Sequence, residues 1–210
     1  MTDRGFHLIT GRLEASILNS LESIMDRVYG SRKRALFREF PLDVVEIGPG
    51  PGANFRYYRP GTRLLAVEPK GTMHPLLRRN ARRYGIRLEI RAVKGEAIDL
   101  PDACVDAVVG TLVLCSVDTP SRVVQEIRRI LRPGGRYVFL EHVAAPPGTV
   151  LGGIQNRLHK PWHWLFQGCH LNRSTHELLL NSGFSSIDMN CFALNAFAPF
   201  TPHIIGQAIA

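Results

Sequence analysis

Short β-branched segments alternate with helix-forming segments through the middle of this chain. Strands are predicted where a run of roughly four to eight apolar residues ends in glycine, proline or a charged residue. Segments with an apolar residue every three or four positions separate several of these runs. The alternation requires right-handed crossovers and a parallel sheet covered by helices on both faces. The predicted strands are 43–47, 63–67, 88–93, 105–112 and 136–140, and the predicted helices between them are 72–84 and 121–131.

The two ends of the chain extend this pattern. Apolar residues at helical spacing predict a helical segment over 13–40. Beyond Pro146, an aromatic segment precedes a predicted helix over 174–181 and two apolar runs that can pair as terminal strands. A length of 210 residues suits one domain. We divide this predicted domain, 1–210, into an N-terminal helical segment (1–40), a cofactor-binding half (41–145) and a substrate-side half (146–210).

Composition favours a soluble cytoplasmic protein with reduced thiols. No apolar run is long enough to span a membrane, and the first residues lack the apolar core of a secretory signal. The four cysteines, including Cys115 and Cys169, contain no Cys-x-x-Cys pair, so we expect neither a zinc site nor disulfides. Cys115 and Cys169 are predicted as packing residues.

An arginine-rich segment at 78–91 contributes to the net charge of +8. Most of these arginines recur at the spacing expected for the solvated face of an amphipathic helix. No aromatic residues lie among them to stack on bases, so nucleic acid is not the expected partner. RNA methylation is kept as a lower alternative. The sequence contains no feature that sets an oligomeric state.

Three glycines follow the first predicted strand in the segment Glu46-Ile47-Gly48-Pro49-Gly50-Pro51-Gly52-Ala53. Doubly wound sheets bind ligands at this position. The segment also satisfies the dinucleotide fingerprint G-x-G-x-x-A, so a nicotinamide or flavin enzyme is an alternative. However, its two prolines each remove an N–H donor that a pyrophosphate would need. S-adenosylmethionine has no phosphate, and the loop favours it.

Two carboxylates flank this loop in the predicted fold. Glu46 is placed to accept hydrogen bonds near the methionine ammonium group, directly or through water. Glu68 ends the second strand, where a carboxylate can accept both ribose hydroxyls of an adenosine. After the third strand, the segment Gly95-Glu96-Ala97-Ile98-Asp99-Leu100-Pro101 offers a small residue and an apolar one to flank adenine.

Over nearly its whole length the chain resembles class I methyltransferases, through E-x-G-x-G-x-G, the ribose carboxylate, G-E-A-x-x-L-P and L-R-P-G-G-R at 131–136. The resemblance implies a Rossmann-like α/β fold with a seven-stranded, mostly parallel sheet. It also implies S-adenosylmethionine as methyl donor and S-adenosylhomocysteine as product. We expect no metal, because the cysteines form no Cys-x-x-Cys pair. The cofactor-binding residues that the resemblance implies are Glu46, Gly48, Gly50, Gly52, Asn54, Glu68, Pro69, Glu96, Ala97, Thr111 and Leu112.

Further segments are similar to the methyltransferase-like protein seven family of animals, whose members are thiol S-methyltransferases. These segments are 52–55, 111–117, 131–135, 141–144, 161–163, 168–173 and 202–206. The resemblance implies a small-molecule acceptor, either a thiol or hydrogen sulfide. This sequence lacks the apolar membrane anchor of the animal proteins, so we expect a soluble relative. It also has Gly-Pro-Gly-Pro-Gly for Gly-Cys-Gly-Thr-Gly and Glu68 for Asp, and both changes should preserve cofactor binding.

Methyl transfer from a sulfonium depends on alignment and dehydration of the nucleophile more than on a strong base. His142, just past the fifth strand, is the first candidate to position the acceptor or take its proton. The alternative is a histidine that hydrogen-bonds a loop carbonyl. His170 and His203 are the next candidates. The residues predicted to wall an apolar substrate pocket, or alternatively to pack in a core or lid, are Trp162, Trp164 and Phe166.

Other methyl acceptors remain compatible with the sequence, because the cofactor half is common to many enzymes. The main alternative is a C- or O-methyltransferase acting on a quinone, a phenolic compound or a lipid-like small molecule. DNA amino-methylation is disfavoured because no N/D-P-P-Y motif follows the fourth strand. A protein that binds S-adenosylmethionine without catalysis is disfavoured by the intact loop and its acids.

Overall fold

A computed structural model describes residues 22–166, 168–194 and 201–210 of the chain. The predicted N-terminal helix is present from Glu22, and its positions 13–21 lie outside the described residues. The elements are α1 (Glu22–Phe37), β1 (Asp43–Ile47), β2 (Arg63–Val67), α2 (His74–Tyr84), β3 (Arg87–Arg91), β4 (Val105–Thr111), α3 (Pro120–Ile130), β5 (Leu131–His142), α4 (Val150–Leu165), α5 (Thr175–Leu180), β6 (Ser186–Ala193) and β7 (Pro202–Ile209).

The strands form a seven-stranded sheet of order β3-β2-β1-β4-β5-β7-β6. This arrangement confirms the predicted sheet, which is mostly parallel and has antiparallel strands at the end of the chain. The chain divides into two compact units, one up to Lys94 and one from Gly95 onward. None of the helices in the described ranges is long and apolar enough to cross a membrane.

In the first unit, β1 and β3 each pair in parallel with β2. The inner strand β1 is buried from Val44 to Ile47, which explains its continuous apolar run. Helix α2 is amphipathic, with Leu77 and Ala81 buried. Its arginines at 78, 79, 82 and 83 are exposed, as expected for a solvated helix face.

In the second unit, β4 runs parallel to β5, whereas β7 pairs antiparallel with β5 and β6. The core of this unit includes Tyr137, Phe139 and Leu140 of β5, none of which is exposed. The aromatic segment predicted after Pro146 lies at the end of helix α4, and Phe166 follows its last residue. Thr149 caps this helix, and its hydroxyl accepts the Gly152 N–H.

Candidate active site

The loop after β1 turns through three glycines with positive φ: Gly48 (60°), Gly50 (56°) and Gly52 (91°). L-residues rarely adopt this conformation, whereas glycine does so readily. A Cβ on Gly52 would lie 2.7 Å from the Phe55 ring, so packing also requires glycine there. A Cβ on Gly50 would meet nothing within 4 Å. The backbone at Gly50 therefore borders open space, as a loop that receives a ligand at close range requires.

The Glu68 carboxylate is oriented by this loop. Its Oε2 accepts the Gly50 N–H at 3.0 Å, and its Oε1 accepts the Lys70 N–H at 2.9 Å. Burial raises the pKa of Glu68, and the two backbone donors act in the opposite direction. Each oxygen keeps a further lone pair, which suits the predicted acceptance of ribose hydroxyls. The neighbouring Pro69 is exposed.

Glu46 is a buried acid held by a chain of hydrogen bonds. Its Oε1 accepts from Asn54 Nδ2 at 2.8 Å, and its Oε2 accepts from the Tyr58 hydroxyl at 2.9 Å. The Lys33 ammonium in turn donates to Asn54 Oδ1 at 2.7 Å. Burial raises the pKa of Glu46 to about 7, against the effect of these hydrogen bonds and of Lys33.

The first unit fits the cofactor predicted from its loop. Two buried carboxylates with spare lone pairs can accept hydrogen bonds from ribose hydroxyls and from an ammonium group. Neither carboxylate suits a pyrophosphate, which is itself an anionic acceptor. The sequence identified Glu46, Asn54 and Glu68 through their motif positions. It missed Lys33 and Tyr58, because these partners belong to no motif.

In the second unit, α3 clamps the segment that was predicted to flank adenine. The Arg129 guanidinium donates to the Ile98 carbonyl at 2.9 Å and to the Leu100 carbonyl at 2.8 Å. Glu126 Oε2 accepts the Ile98 N–H at 2.8 Å. Glu96, half-buried, accepts the Thr119 N–H at 3.1 Å, and Ala97 is exposed. Sequence reasoning missed this clamp, and the adenine role stays a prediction.

The turn after β4 contains Leu112, a non-glycine residue at φ 54°. Its N–H donates to the Leu140 carbonyl at 2.7 Å, and its side chain is partly exposed, as is that of Thr111. The buried Glu141 holds the following residues, because its Oε1 accepts the N–H groups of Val113 and Leu114. Burial raises the pKa of Glu141 to about 7. Left-handed non-glycine residues of this kind concentrate at functional sites.

His142 ends β5 and is buried beside two cysteines. Its Nε2 lies 3.2 Å from the Sγ of Cys169, and that sulfur lies 3.7 Å from the Sγ of Cys115. The hydrogen bond between Cys169 and Cys115 is the largest cause that lowers the pKa of Cys169. Burial acts in the opposite direction, and the contact with His142 lowers the pKa further. His142 Nε2 thus contacts a cysteine sulfur, and both the catalytic role of His142 and the alternative of a bond to a loop carbonyl stay predictions.

Two further contacts attach the Cys169 loop to the turn after β4. The His170 N–H donates to the Cys115 carbonyl at 2.8 Å, and Arg173 Nη1 donates to the Leu114 carbonyl at 2.6 Å. Cys115 and Cys169 are both buried, as expected for packing residues. The contact between the two sulfurs could not be predicted from the sequence, because 54 positions separate the cysteines.

The other two candidate histidines have different surroundings. His203 is buried, stacks on Phe192 at 5.2 Å and lies with its ring 6.3 Å from that of His142. The ring of His170 lies 4.8 Å from that of His159 and 4.5 Å from that of His163. Burial, followed by the charge of Arg173, lowers the pKa of His170 to about 4. The structure therefore places His203 beside His142. It places His170 elsewhere, in a group with two histidines of α4.

The three aromatic residues predicted to wall a substrate pocket differ in their packing and exposure. Trp162 and Phe166 stack with ring centroids 3.9 Å apart. Trp164 is 74% exposed and Phe166 is 41% exposed. Trp162 and Phe166 thus pack against each other while Phe166 stays partly exposed, and the predicted contact of these residues with substrate stays a prediction.

Comparison with known sequences gives a consistent result. A family model described as a methyltransferase domain matches residues 45–139. The thiol S-methyltransferase TMT1A of Homo sapiens is 37% identical over 198 residues, which are 89% of this chain and 81% of that protein. The thiol S-methyltransferase TMT1B of Homo sapiens is 37% identical over 196 residues, 88% of this chain and 80% of that protein.

Solved structures share the fold. A methyltransferase from Thermotoga maritima that depends on S-adenosylmethionine superposes with a TM-score of 0.64 at 19% identity, covering 93% of this chain and 98% of that one. Another from Mesorhizobium loti gives a TM-score of 0.61 at 20% identity, covering 87% and 98%. At these identities the likeness bears on fold alone, and it confirms the predicted Rossmann-like class.

Proposed function

Because the chain belongs to the family of the thiol S-methyltransferases TMT1A and TMT1B, we propose that it methylates the sulfur of a small thiol or of hydrogen sulfide. That it is a methyltransferase dependent on S-adenosylmethionine follows from the family. The observation that carries the choice of acceptor is 37% identity over most of both chains. The sulfur-rich surroundings of His142, near the carboxyl ends of β4 and β5, support this choice.

S-adenosylmethionine supplies an activated methyl group on a sulfonium. We assign to Glu46 the acceptance of its ammonium group and to Glu68 the acceptance of its ribose hydroxyls, since hydrogen bonds from Asn54 and Gly50 orient the two carboxylates and leave lone pairs on both. Gly50 allows close approach of the methionine portion. The clamped segment at Glu96 and Ala97 is assigned to adenine.

The chemical step is an in-line displacement. An electron pair on the acceptor sulfur forms the new sulfur–carbon bond as the sulfonium–methyl bond breaks, and that bond's electron pair stays on the sulfur of S-adenosylhomocysteine. A small thiol has a pKa near 8.5, so a group that removes its proton raises the reactive fraction at neutral pH. His142 is assigned to position the acceptor or take its proton.

We propose a small-molecule acceptor and a cytoplasmic location. The cysteines of the described residues are free thiols, which a reducing compartment maintains. The exposed arginines of α2 form a solvated helix face, which does not require a nucleic-acid partner.

Methyl transfer from labelled S-adenosylmethionine tests the proposal. The full chain is incubated with hydrogen sulfide, alkyl thiols, aryl thiols, catechols and quinols, and the products are identified by mass spectrometry. The alcohol counterpart of each thiol is the matched control acceptor. We expect methyl thioethers from the thiols and no ethers from the alcohols. Products methylated only at oxygen or carbon would replace thiol methylation by the quinone or phenolic alternative.

A further inference from the structure

Three soft or borderline donor atoms converge inside the second unit. They are the Sγ of Cys115, the Sγ of Cys169 and a ring nitrogen of His142, and all lie within 4.8 Å of one another. Each residue is at most 8% exposed. We propose that these three residues bind a zinc ion, and that the acceptor sulfur occupies the fourth coordination position.

The separations suit a tetrahedral site. Zinc binds cysteine sulfur at about 2.3 Å and histidine nitrogen at about 2.0–2.1 Å, so the tetrahedral angle places two sulfurs about 3.8 Å apart and a sulfur and a nitrogen about 3.6 Å apart. The two cysteine sulfurs are 3.7 Å apart, and His142 Nε2 is 3.2 Å from Cys169 Sγ. The third separation, between the ring nitrogen of His142 and the Sγ of Cys115, is at most 4.8 Å, so side-chain movements of about 1 Å would admit the ion.

Backbone contacts position the ligands before any ion binds. Cys115 follows the turn that Glu141 holds through the N–H groups of Val113 and Leu114. The His170 N–H fixes the neighbouring Cys169 by donating to the Cys115 carbonyl. His142 is fixed as the last residue of β5, where it pairs with His203 of β7. Such preorganisation reduces the movement needed for binding.

This proposal departs from our expectation of no metal, which relied on cysteine spacing along the chain. Zinc motifs are recognised in sequences by closely spaced pairs. Here the ligands come from the turn after β4, the end of β5 and the loop after α4, so their proximity exists only in the folded chain.

Three protein ligands leave one tetrahedral position open, as in catalytic zinc sites. The part of the proposal that concerns the acceptor rests on the proposed function. An acceptor thiol that binds there loses its proton to solvent, because thiols that coordinate zinc are deprotonated. The thiolate then takes the methyl group. An organic thiol gives a neutral thioether, which dissociates because it is a weaker ligand, and hydrogen sulfide gives methanethiol, whose thiolate leaves after it is protonated by solvent. His142 serves as a ligand in this scheme rather than as the proton acceptor.

Metal analysis of the purified full chain tests the ion site. After loading with zinc and desalting, we expect about one ion per chain in the wild type and roughly tenfold less in Cys115→Ser and in Cys169→Ser. Cys104→Ser and Cys191→Ser are matched controls outside the cluster, and both should keep the ion. A wild type without zinc, or zinc retained equally in all four variants, would overturn the proposal.

Cobalt provides a second measurement that needs no variant to fold. A sulfur-to-cobalt charge-transfer band in the Co²⁺-loaded wild type requires thiolate ligands, and its absence argues against the site. Adding an acceptor thiol should change this band, whereas its alcohol counterpart should not. An unchanged band would overturn the assignment of the acceptor to the fourth position. Bound zinc without thiol methylation would instead contradict the proposed function and leave the ion site intact.

Discussion

At the residue scale, Glu68 beside the loop after β1 is predicted to set the affinity for S-adenosylmethionine. Glu68→Gln removes the charge from the carboxylate that accepts the Gly50 N–H. Hydrogen bonds to charged groups contribute about 1.5–3 kcal/mol, so the Kd for S-adenosylmethionine should rise roughly 10- to 150-fold. Titration calorimetry measures it. Glu89→Gln, an exposed acid on β3, is the control. An unchanged Kd for Glu68→Gln would refute the ribose assignment.

Because Glu46 is buried, we predict that the free energy of unfolding depends on pH. Burial raises its pKa from 4.5 to about 7, so the folded protein keeps a proton that the unfolded chain releases between these values. This contribution to stability is therefore complete below pH 4.5 and is lost as the pH rises through 7. Between pH 5 and 7.5, the free energy of unfolding of Glu46→Gln should therefore fall by about 2 kcal/mol less than that of the wild type.

Denaturant unfolding at the two pH values measures this difference. The control is Glu177→Gln, because the Glu177 side chain is 67% exposed. Equal pH dependence in the wild type and Glu46→Gln would show that Glu46 ionises alike in the folded and unfolded chains.

At the residue scale, the sequence predicts members of a motif better than their partners. Glu46, Asn54 and Glu68 stand at fixed distances from the glycines, so their positions are readable. Lys33 supports Asn54 from α1, and nothing in its own segment indicates that role. The same reason hides the contact between Cys115 and Cys169, because it depends on how two distant segments pack.

Among the secondary-structure elements, β6 and β7 pair too closely for a side chain at Gly206. A Cβ there would lie 2.0 Å from the Asp188 carbonyl oxygen and 2.9 Å from the Met189 Cα, both in the backbone of β6. Gly206→Ala should reduce the free energy of unfolding by about 1–3 kcal/mol, in the range of overpacking. Thermal and denaturant unfolding measure the change.

Gly153→Ala is the matched substitution for this test. Gly153 lies in α4, and a Cβ there meets nothing within 4 Å. Alanine should stabilise that helix by about 0.5–1 kcal/mol. Similar effects of the two substitutions, in either direction, would contradict a steric role for Gly206.

The elements that the sequence predicts best are those with uninterrupted apolar runs. Strands β1 and β2 have their predicted bounds. Strand β5 begins five residues earlier than predicted, because Leu131 pairs with Val105 before the Pro133-Gly134-Gly135 segment that resembles a turn. Helix α4 contains Gly152, Gly153 and Pro161, whose low helix propensity concealed it.

On the scale of the whole molecule, the predicted single domain can be tested by unfolding. Far-UV circular dichroism reports on the whole chain, whereas both tryptophans, Trp162 and Trp164, belong to the second unit. Because the seven strands belong to one sheet, we expect the two signals to change at the same denaturant concentration. Two separate transitions would show that the units unfold independently.

The left-handed backbone at Leu112 restricts which sequences can carry this site. A residue there must tolerate φ near 54° while its N–H reaches the Leu140 carbonyl. Valine and isoleucine are strongly disfavoured in that conformation, whereas leucine, asparagine and glycine are accommodated. We therefore expect laboratory evolution at this position to retain residues that are not branched at Cβ, so that the cofactor contact predicted for Leu112 would vary in side-chain length and polarity on an unchanged backbone.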